Sequence, residues 1–284
     1  MSFLSAIFWD TNPIFFSILG YELHYYTLCF MLGFIVSYIV MLKVFNREKI
    51  SQELLDQLSI YIFVGTLLGA RLGHCLFYEF DYYKDHLLEM ILPIRFEDGQ
   101  IKLTGFHGLA SHGGGIGIFT GLYLFCRKTK MDFIWLADRL VIVVAAAGAL
   151  VRLGNFFNSE IIGLPSNLPW AVIFAHVDDV ARHPAQLYES IAYFGIFIFL
   201  WVYYKRAAFL KRGWMLGIFL ILLFTIRFLV EFIKENQEAF EDGMTLNMGQ
   251  WLSIPFILVG FYLVLRKNKK IDPIPANTGK GKRK

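Results

Sequence analysis

The chain has 284 residues, of which 56% are hydrophobic, 17% aromatic and 18% charged, and its net charge is +4 from 27 Lys and Arg against 23 Asp and Glu. A soluble domain carries roughly 25% charged and 45 to 50% apolar residues, so this balance, with a mean hydropathy of +0.52, belongs to a membrane protein. It excludes an extracellular disulfide scaffold and a disordered polyelectrolyte, and its 29 phenylalanines exceed what one soluble core of this size can bury.

In chain order, Met1 to Asn12 has no basic n-region and no small-residue cleavage site after it, so it does not read as a signal peptide. The partly apolar run before Tyr21 is expected to lie along the membrane interface. Seven apolar windows of about 18 to 22 residues follow, near 23–42, 58–77, 107–126, 133–152, 187–204, 214–232 and 249–266. As helices rising about 1.5 Å per residue, each crosses about 30 Å of hydrocarbon. The third and fourth carry Gly113-Gly114-Gly115, Gly117, Gly121 and Ala145-Ala146-Ala147-Gly148-Ala149. Small residues lower hydropathy but let backbones approach; a Gly run at a helix start is also compatible with an interrupted helix lining a cavity.

Basic residues set the expected orientation. The connections after the first, third and fifth windows and the tail carry three, three, four and eight Lys or Arg, whereas the opposite connections carry five in all: Lys84, Arg95, Lys102, Arg182 and Lys234. The positive-inside rule then places the N-terminus outside and the C-terminus in the cytoplasm. The expected fold is an all-α polytopic membrane protein of about seven transmembrane helices. One integral membrane domain covers 1–266, and a basic cytoplasmic tail covers 267–284. Cys29, Cys75 and Cys126 show neither metal-ligand nor disulfide spacing and read as packing residues.

Four arginines fall within or at the ends of the windows: Arg71, Arg139, Arg152 and Arg227. Ionised groups in hydrocarbon need a protein interior, a carboxylate or water, and an anion site is the functional hypothesis. Local explanations stand beside it. Arg139 can meet Asp138 or Asp132, and Arg71 can snorkel to an interface. Arg152 and Arg227 stand among Asn155, Asn158, Glu160, Glu231, Lys234 and Glu235, which favours a site. Arg227 and Glu231 are four apart, the spacing of an ion pair on one helical face.

His107 and His112 stand at the entrance of the third window, and the glycines after His112 leave room around it as a base; a histidine satisfied by a neighbouring hydroxyl is the plainer reading. Neither zinc-ligand spacing nor a GxSxG nucleophile motif accompanies them. The outer segment then supplies Arg152-Leu153-Gly154-Asn155-Phe156-Phe157-Asn158-Ser159-Glu160, Gly163 and His183-Pro184-Ala185-Gln186-Leu187-Tyr188-Glu189. These strings suggest a polar network at the membrane surface, although Pro184 and Glu189 also suit a plain helix start.

These strings, with Tyr25-Tyr26, Gly69-Ala70-Arg71-Leu72-Gly73, Ser111-His112-Gly113-Gly114, Arg227-Phe228-Leu229-Val230-Glu231-Phe232 and Met248-Gly249-Gln250, come in an order that resembles the prolipoprotein diacylglyceryl transferase family over nearly all of the chain except the tail. The resemblance implies a bacterial inner-membrane enzyme with its site toward the periplasm. Its implied partners are phosphatidylglycerol and lipobox-containing prolipoproteins, with no nucleic acid. Its reaction would move diacylglyceryl to the lipobox cysteine thiol, form a thioether and release glycerol 1-phosphate. The matching positions are Tyr26, His112, Arg152, Asn155, Gly163, Arg227 and Glu231, with Arg71, Asn158 and Glu160 added as lipid-binding candidates. Leu223-Phe224-Thr225 departs from a Tyr-Gly pair often found in the family.

That chemistry suits these residue types. The leaving group is a phosphate monoester, whose developing charge suits the guanidinium groups of Arg152 and Arg227. The nucleophile is a thiolate, which needs either His112 as base or a positive field. Neither a metal nor an organic cofactor is implied. A transporter for a small anionic solute is the competing reading; it predicts midplane charges and an inverted repeat, and this spacing shows no such repeat.

Overall fold

A computed structural model describes residues 6–18, 21–92, 94–97, 100–103, 110–207, 210–236, 241 and 243–267. His107, the 107–109 start of the third window and the tail from residue 268 lie outside the described residues. The chain divides into two compact units, one built from residues 1–44 and 134–273 and the other from 45–133.

In chain order the described helices are α1 (Tyr25–Arg47), α2 (Gln52–Phe77), the short α3 (Phe80–Tyr83) and α4 (Leu87–Ile91), α5 (Ser111–Thr129), α6 (Phe133–Phe157), α7 (Ala185–Arg206), α8 (Trp214–Val230) and α9 (Met248–Leu265). A 3₁₀ turn, Glu231–Ile233, continues α8. Among the described residues, six helices are long and apolar enough to cross a membrane: α1, α2, α6, α7, α8 with its 3₁₀ turn, and α9. This supports an all-α polytopic membrane protein of about six long apolar helices, where the sequence suggests seven. The difference is α5. It has 19 residues, but five glycines, His112, Arg127 and Lys128 take the places of apolar side chains.

In the unit of residues 45–133, α2 and α5 pack antiparallel through glycines spaced four apart. Gly65, Gly69 and Gly73 face Gly113, Gly117 and Gly121 so closely that a methyl group at Gly117 would overlap the carbonyl of Gly65. Without a hydrophobic drive between helices in lipid, such backbone contact is the main cohesive term. The shallow glycine floor leaves an apolar groove of about 660 Å³ along the pair, flanked by Ile60, Leu68, Ile116 and Leu124. Gly117→Val is expected to separate the two helices and destabilise this unit by about 3 kcal/mol or more, read as a lower thermal midpoint in detergent.

Arg71 is buried on α2. Its Nη2 donates to the Tyr83 hydroxyl (3.0 Å) and to the Glu89 carbonyl (2.7 Å), and the guanidinium lies over the Tyr83 ring. The arginine thus ties α3 and α4 to α2. Strands β4 (Ile94–Glu97) and β5 (Gln100–Leu103) follow as an antiparallel pair.

In the other unit α6 is the most enclosed long helix, with 61% of its most apolar stretch buried against 11 to 33% for the rest. The buried carboxylate of Asp138 accepts from the backbone N–H of Gly213 (2.5 Å) and Leu216 (2.8 Å), satisfying donors at the start of α8. Asp138 was one of two sequence candidates for Arg139, and it serves this cap; Arg139 stacks over Trp135 at 4.2 Å. Helices α8 and α9 close through Gly217 and Gly260, each against the other's carbonyl. Phe224, in the segment that departs from the family pattern, stacks on Phe256 at 4.3 Å.

Short strands occupy the connections. The N-terminal segment, expected at the interface, forms β1 (Ile7–Trp9), β2 (Ile14–Ile18) and β3 (Tyr21–His24); β2 and β3 make a hairpin. Strand β1 pairs in parallel with β6 (Val172–Phe174), which pairs antiparallel with β7 (Ala181–Arg182). Phe156, Ile162, Val172 and Phe174 make a buried cluster under this small sheet, with Trp9 and Leu187 against it. The cluster fixes the C-terminal end of α6, where the polar residues begin.

Candidate active site

Eight of the ten residues proposed from sequence fall in the unit of residues 1–44 and 134–273: Tyr26, Arg152, Asn155, Asn158, Glu160, Gly163, Arg227 and Glu231. Arg71 and His112 belong to the other unit. His112 is exposed in the first turn of α5.

The site starts on the last two turns of α6. Arg152 Nη1 donates to Asn155 Oδ1 (3.2 Å), its i+3 neighbour on the same face. Asn155 Nδ2 donates to Glu160 Oε2 (3.0 Å), and Asn158 Nδ2 to Glu160 Oε1 (3.1 Å). Each oxygen of Glu160 therefore accepts one amide. The turn that swings Glu160 back over the helix end passes through Ser159 and Ile161, with φ of 54° and 58°. A β-branched residue in this left-handed region is strained by roughly 1 to 3 kcal/mol, which the surrounding packing must hold. The Tyr26 ring lies against Gly154, where an added Cβ would come 2.9 Å from Cδ2, and its hydroxyl is within electrostatic range of Glu160 and Arg152.

The other side of Arg152 is held from α7. Its Nε lies 2.8 Å from Oε2 of Glu189, whose side chain is completely buried. Oε1 of Glu189 takes Lys234 Nζ at 3.0 Å and the Tyr193 hydroxyl at 3.3 Å. Lys234 Nζ reaches Glu231 Oε2, also at 3.0 Å. Arg152, Glu189, Lys234 and Glu231 thus form one chain of alternating charge. Buried charges persist when paired in this way, and losing one member leaves the next uncompensated.

The Arg227–Glu231 pair suggested by the i, i+4 spacing is absent among the described residues. The Glu231 N–H still bonds the Arg227 carbonyl in α-helical register, and its carboxylate is taken by Lys234, the residue that caps the 3₁₀ turn three positions on. Glu231 is further fixed by Gly249, where an added Cβ would lie 2.6 Å from its carboxyl carbon. This explains the glycine of the Met248-Gly249-Gln250 string. Gln250 serves the capping box of α9 with Asn247. Arg227, half-buried in the last turn of α8, has no ion pair or hydrogen bond from its guanidinium to a described residue. Both Arg152 and Arg227 lie within electrostatic range of the Tyr193 hydroxyl.

Gly163 holds the outer loop together. Its N–H donates to the His183 carbonyl (3.0 Å), its carbonyl accepts from Arg182 Nη1 (3.3 Å), and it bridges to Lys234. An added Cβ would come 2.5 Å from the His183 oxygen and 2.8 Å from that of Ile233. The close neighbour that glycine admits here is protein backbone on both sides. Arg182 binds Asp178 and Glu235, and its guanidinium holds the partly exposed Asp178 carboxyl below the usual carboxylate range; Asp178 in turn raises the pKa of Arg182. Gln186 Nε2 donates to the Glu160 carbonyl at 2.6 Å, joining the start of α7 to the same loop.

Two members of the network were not among the sequence candidates. Glu189 sits in the first turns of α7, where a carboxylate ordinarily answers the helix dipole, and Lys234 looks like one more outer-loop cation. The available signal for Lys234 was its place three residues after Glu231 and seven after Arg227.

The family described as prolipoprotein diacylglyceryl transferase matches residues 13–266. The phosphatidylglycerol–prolipoprotein diacylglyceryl transferase of Bacteroides fragilis is 46% identical over 269 residues, covering 94% of this chain and 97% of that protein. The enzyme of the same name from Tolumonas auensis is 41% identical over 265 residues, 93% of this chain and 98% of that one. That of Porphyromonas gingivalis is 38% identical over 286 residues, with 95% and 97% covered. With the matched region running from the β2–β3 hairpin to the end of α9 and taking in every residue of the charge network, the chain belongs to the prolipoprotein diacylglyceryl transferase family.

Proposed function

We infer that the chain transfers the diacylglyceryl group of phosphatidylglycerol to the thiol of the lipobox cysteine in a prolipoprotein, the first step of bacterial lipoprotein maturation. The family match over residues 13–266 carries this reading. The thiol sulfur bonds to the glyceryl carbon, the bond from that carbon to the phosphate oxygen breaks, and glycerol 1-phosphate departs with the bonding electrons. The thiol proton passes to a base.

Charge grows on the phosphate oxygen as this bond breaks. Donors already aimed at that position stabilise the transition state without reorganising. Arg152, held on one edge by Glu189 and Asn155, is such a preorganised donor. Arg227 supports the reading because its guanidinium has no described protein anion to satisfy it. Tyr26, Asn155, Asn158 and Glu160 shape the polar rim for the headgroup, and Gly163 holds the loop that carries it. His112 is our candidate for the base, and Arg71 acts on lipid binding through the α3–α4 segment it anchors. We place the seventh crossing at α5, the N-terminus outside, the basic tail in the cytoplasm and the active site toward the periplasm, from the distribution of Lys and Arg.

The test supplies phosphatidylglycerol and a lipobox peptide to the purified protein and follows the thioether by mass spectrometry. A peptide mass increased by the diacylglyceryl group is expected. Absence of product both in detergent and in lipid vesicles would refute the assignment.

A further inference from the structure

The ion pairs of the site leave an unequal distribution of charge. Three basic groups, Arg152, Arg227 and Lys234, occur with the buried carboxylates Glu189 and Glu231. Lys234 takes one oxygen from each carboxylate, both at 3.0 Å, with its own side chain 1% exposed. Arg152 takes the remaining oxygen of Glu189. Both carboxylates are therefore engaged, and Arg227 is the cation left over among the described residues.

We propose that Lys234 is a positioning residue of the transfer reaction: by occupying Glu231 it keeps that carboxylate off Arg227, and by occupying Glu189 it holds the anchor of Arg152. The proposal rests on the transferase reading above. Three observations carry it. Glu231 lies four residues after Arg227, a spacing that favours their pairing, so something must prevent it. The 3₁₀ turn places Lys234 on Glu231 instead, at i+3. The backbone of Lys234 is also clamped, by its bridge to Gly163 and by the flanking bonds from Leu164 N–H to the Ile233 carbonyl and from Glu235 N–H to the Ile162 carbonyl. The ammonium is thus delivered by a fixed main chain.

The consequence is a specific pattern of epistasis. In Lys234→Met, Glu231 loses its cation and the nearest replacement along the chain is Arg227, which is withdrawn from the phosphate. Transfer should then fall about a hundredfold, with most of the loss in kcat, because the donor assigned to the developing phosphate charge is quenched. Adding Glu231→Gln removes the competing charge and should recover about tenfold of that loss, although it deletes a second buried group. A lysine with only a packing role predicts the reverse, a double variant no more active than the single one. Lys234→Arg keeps the charge and can reach both carboxylates, so it should stay within about threefold of the parent.

The experiment compares kcat and KM of Lys234→Met, Lys234→Met with Glu231→Gln, and Lys234→Arg, each normalised to the folded fraction in detergent. Recovery in the double variant with near-parent activity of Lys234→Arg is the expected result. Parent-like activity of Lys234→Met, or a double variant no better than the single, overturns the proposal. If Lys234→Met does not fold, Lys234→Arg decides: a folded but inactive protein overturns the role of the charge, and an active one upholds it. Lack of transfer by the unaltered protein strikes the transferase reading itself and is recognised before any variant is compared.

Discussion

Arg227→Ala is expected to lower diacylglyceryl transfer by roughly a thousandfold, because under the function proposed above it removes the positive donor assigned to the oxygen that becomes charged as the ester bond breaks. The protein should remain folded. Arg227 gives its guanidinium to no described residue, so its loss orphans no carboxylate. Arg227→Lys should recover little, since an ammonium is a point charge and cannot present the paired N–H groups of a guanidinium to two phosphate oxygens. Arg139→Ala is the appropriate contrast. That arginine stacks on Trp135 and is buried, so its removal should reduce stability while leaving the activity of the folded fraction largely intact. Initial rates with a lipobox peptide, divided by the folded fraction from thermal unfolding, separate the two. Equal loss of specific activity in both variants would refute the assignment of Arg227 to the phosphate.

The second large effect is expected at Glu189. This carboxylate is completely buried and serves Arg152, Lys234 and the Tyr193 hydroxyl together. Glu189→Ala leaves the buried Lys234 and the half-buried Arg152 without their shared anion, and breaking a buried pair from one side destabilises by about 3 to 5 kcal/mol. Arg152 should also lose its fixed orientation, so the folded remainder is expected to be nearly inactive. Glu189→Gln preserves the shape and one acceptor. It should restore much of the thermal stability but little of the rate, because a neutral amide does not hold two cations in place. A Glu189→Gln enzyme with parent activity would show that the charge of Glu189 has no part in orienting Arg152.

The contrast between these two residues shows what local sequence reveals. Arg227 stands out as a lone cation in an apolar helix, and no knowledge of its neighbours is needed to mark it. Glu189 does not stand out, since an acid near a helix start has an ordinary explanation. Its importance follows from Lys234, 45 residues later in the chain, and from Arg152 on another helix. The pairing of Arg227 with Glu231 fails for a related reason. The i, i+4 spacing is kept, with the Glu231 N–H on the Arg227 carbonyl, but the carboxylate goes to Lys234, which the chain brings back just beyond the helix. Asp138 likewise answers the N-terminus of α8, 75 residues away in the chain.

By itself the sequence determined the membrane character, the long helices and the segments that would carry the polar residues, because a bilayer imposes its demand for apolar length on each contiguous stretch of chain. It also marked the small residues of α5 and α6 as packing faces, since close packing in lipid requires small residues. The tertiary structure decided which charge neutralises which. Coulombic pairing in a buried site depends on distances of about 3 Å between side chains from different helices, and those distances are set only when α6, α7 and α8 pack and the loop around Gly163 closes on Lys234.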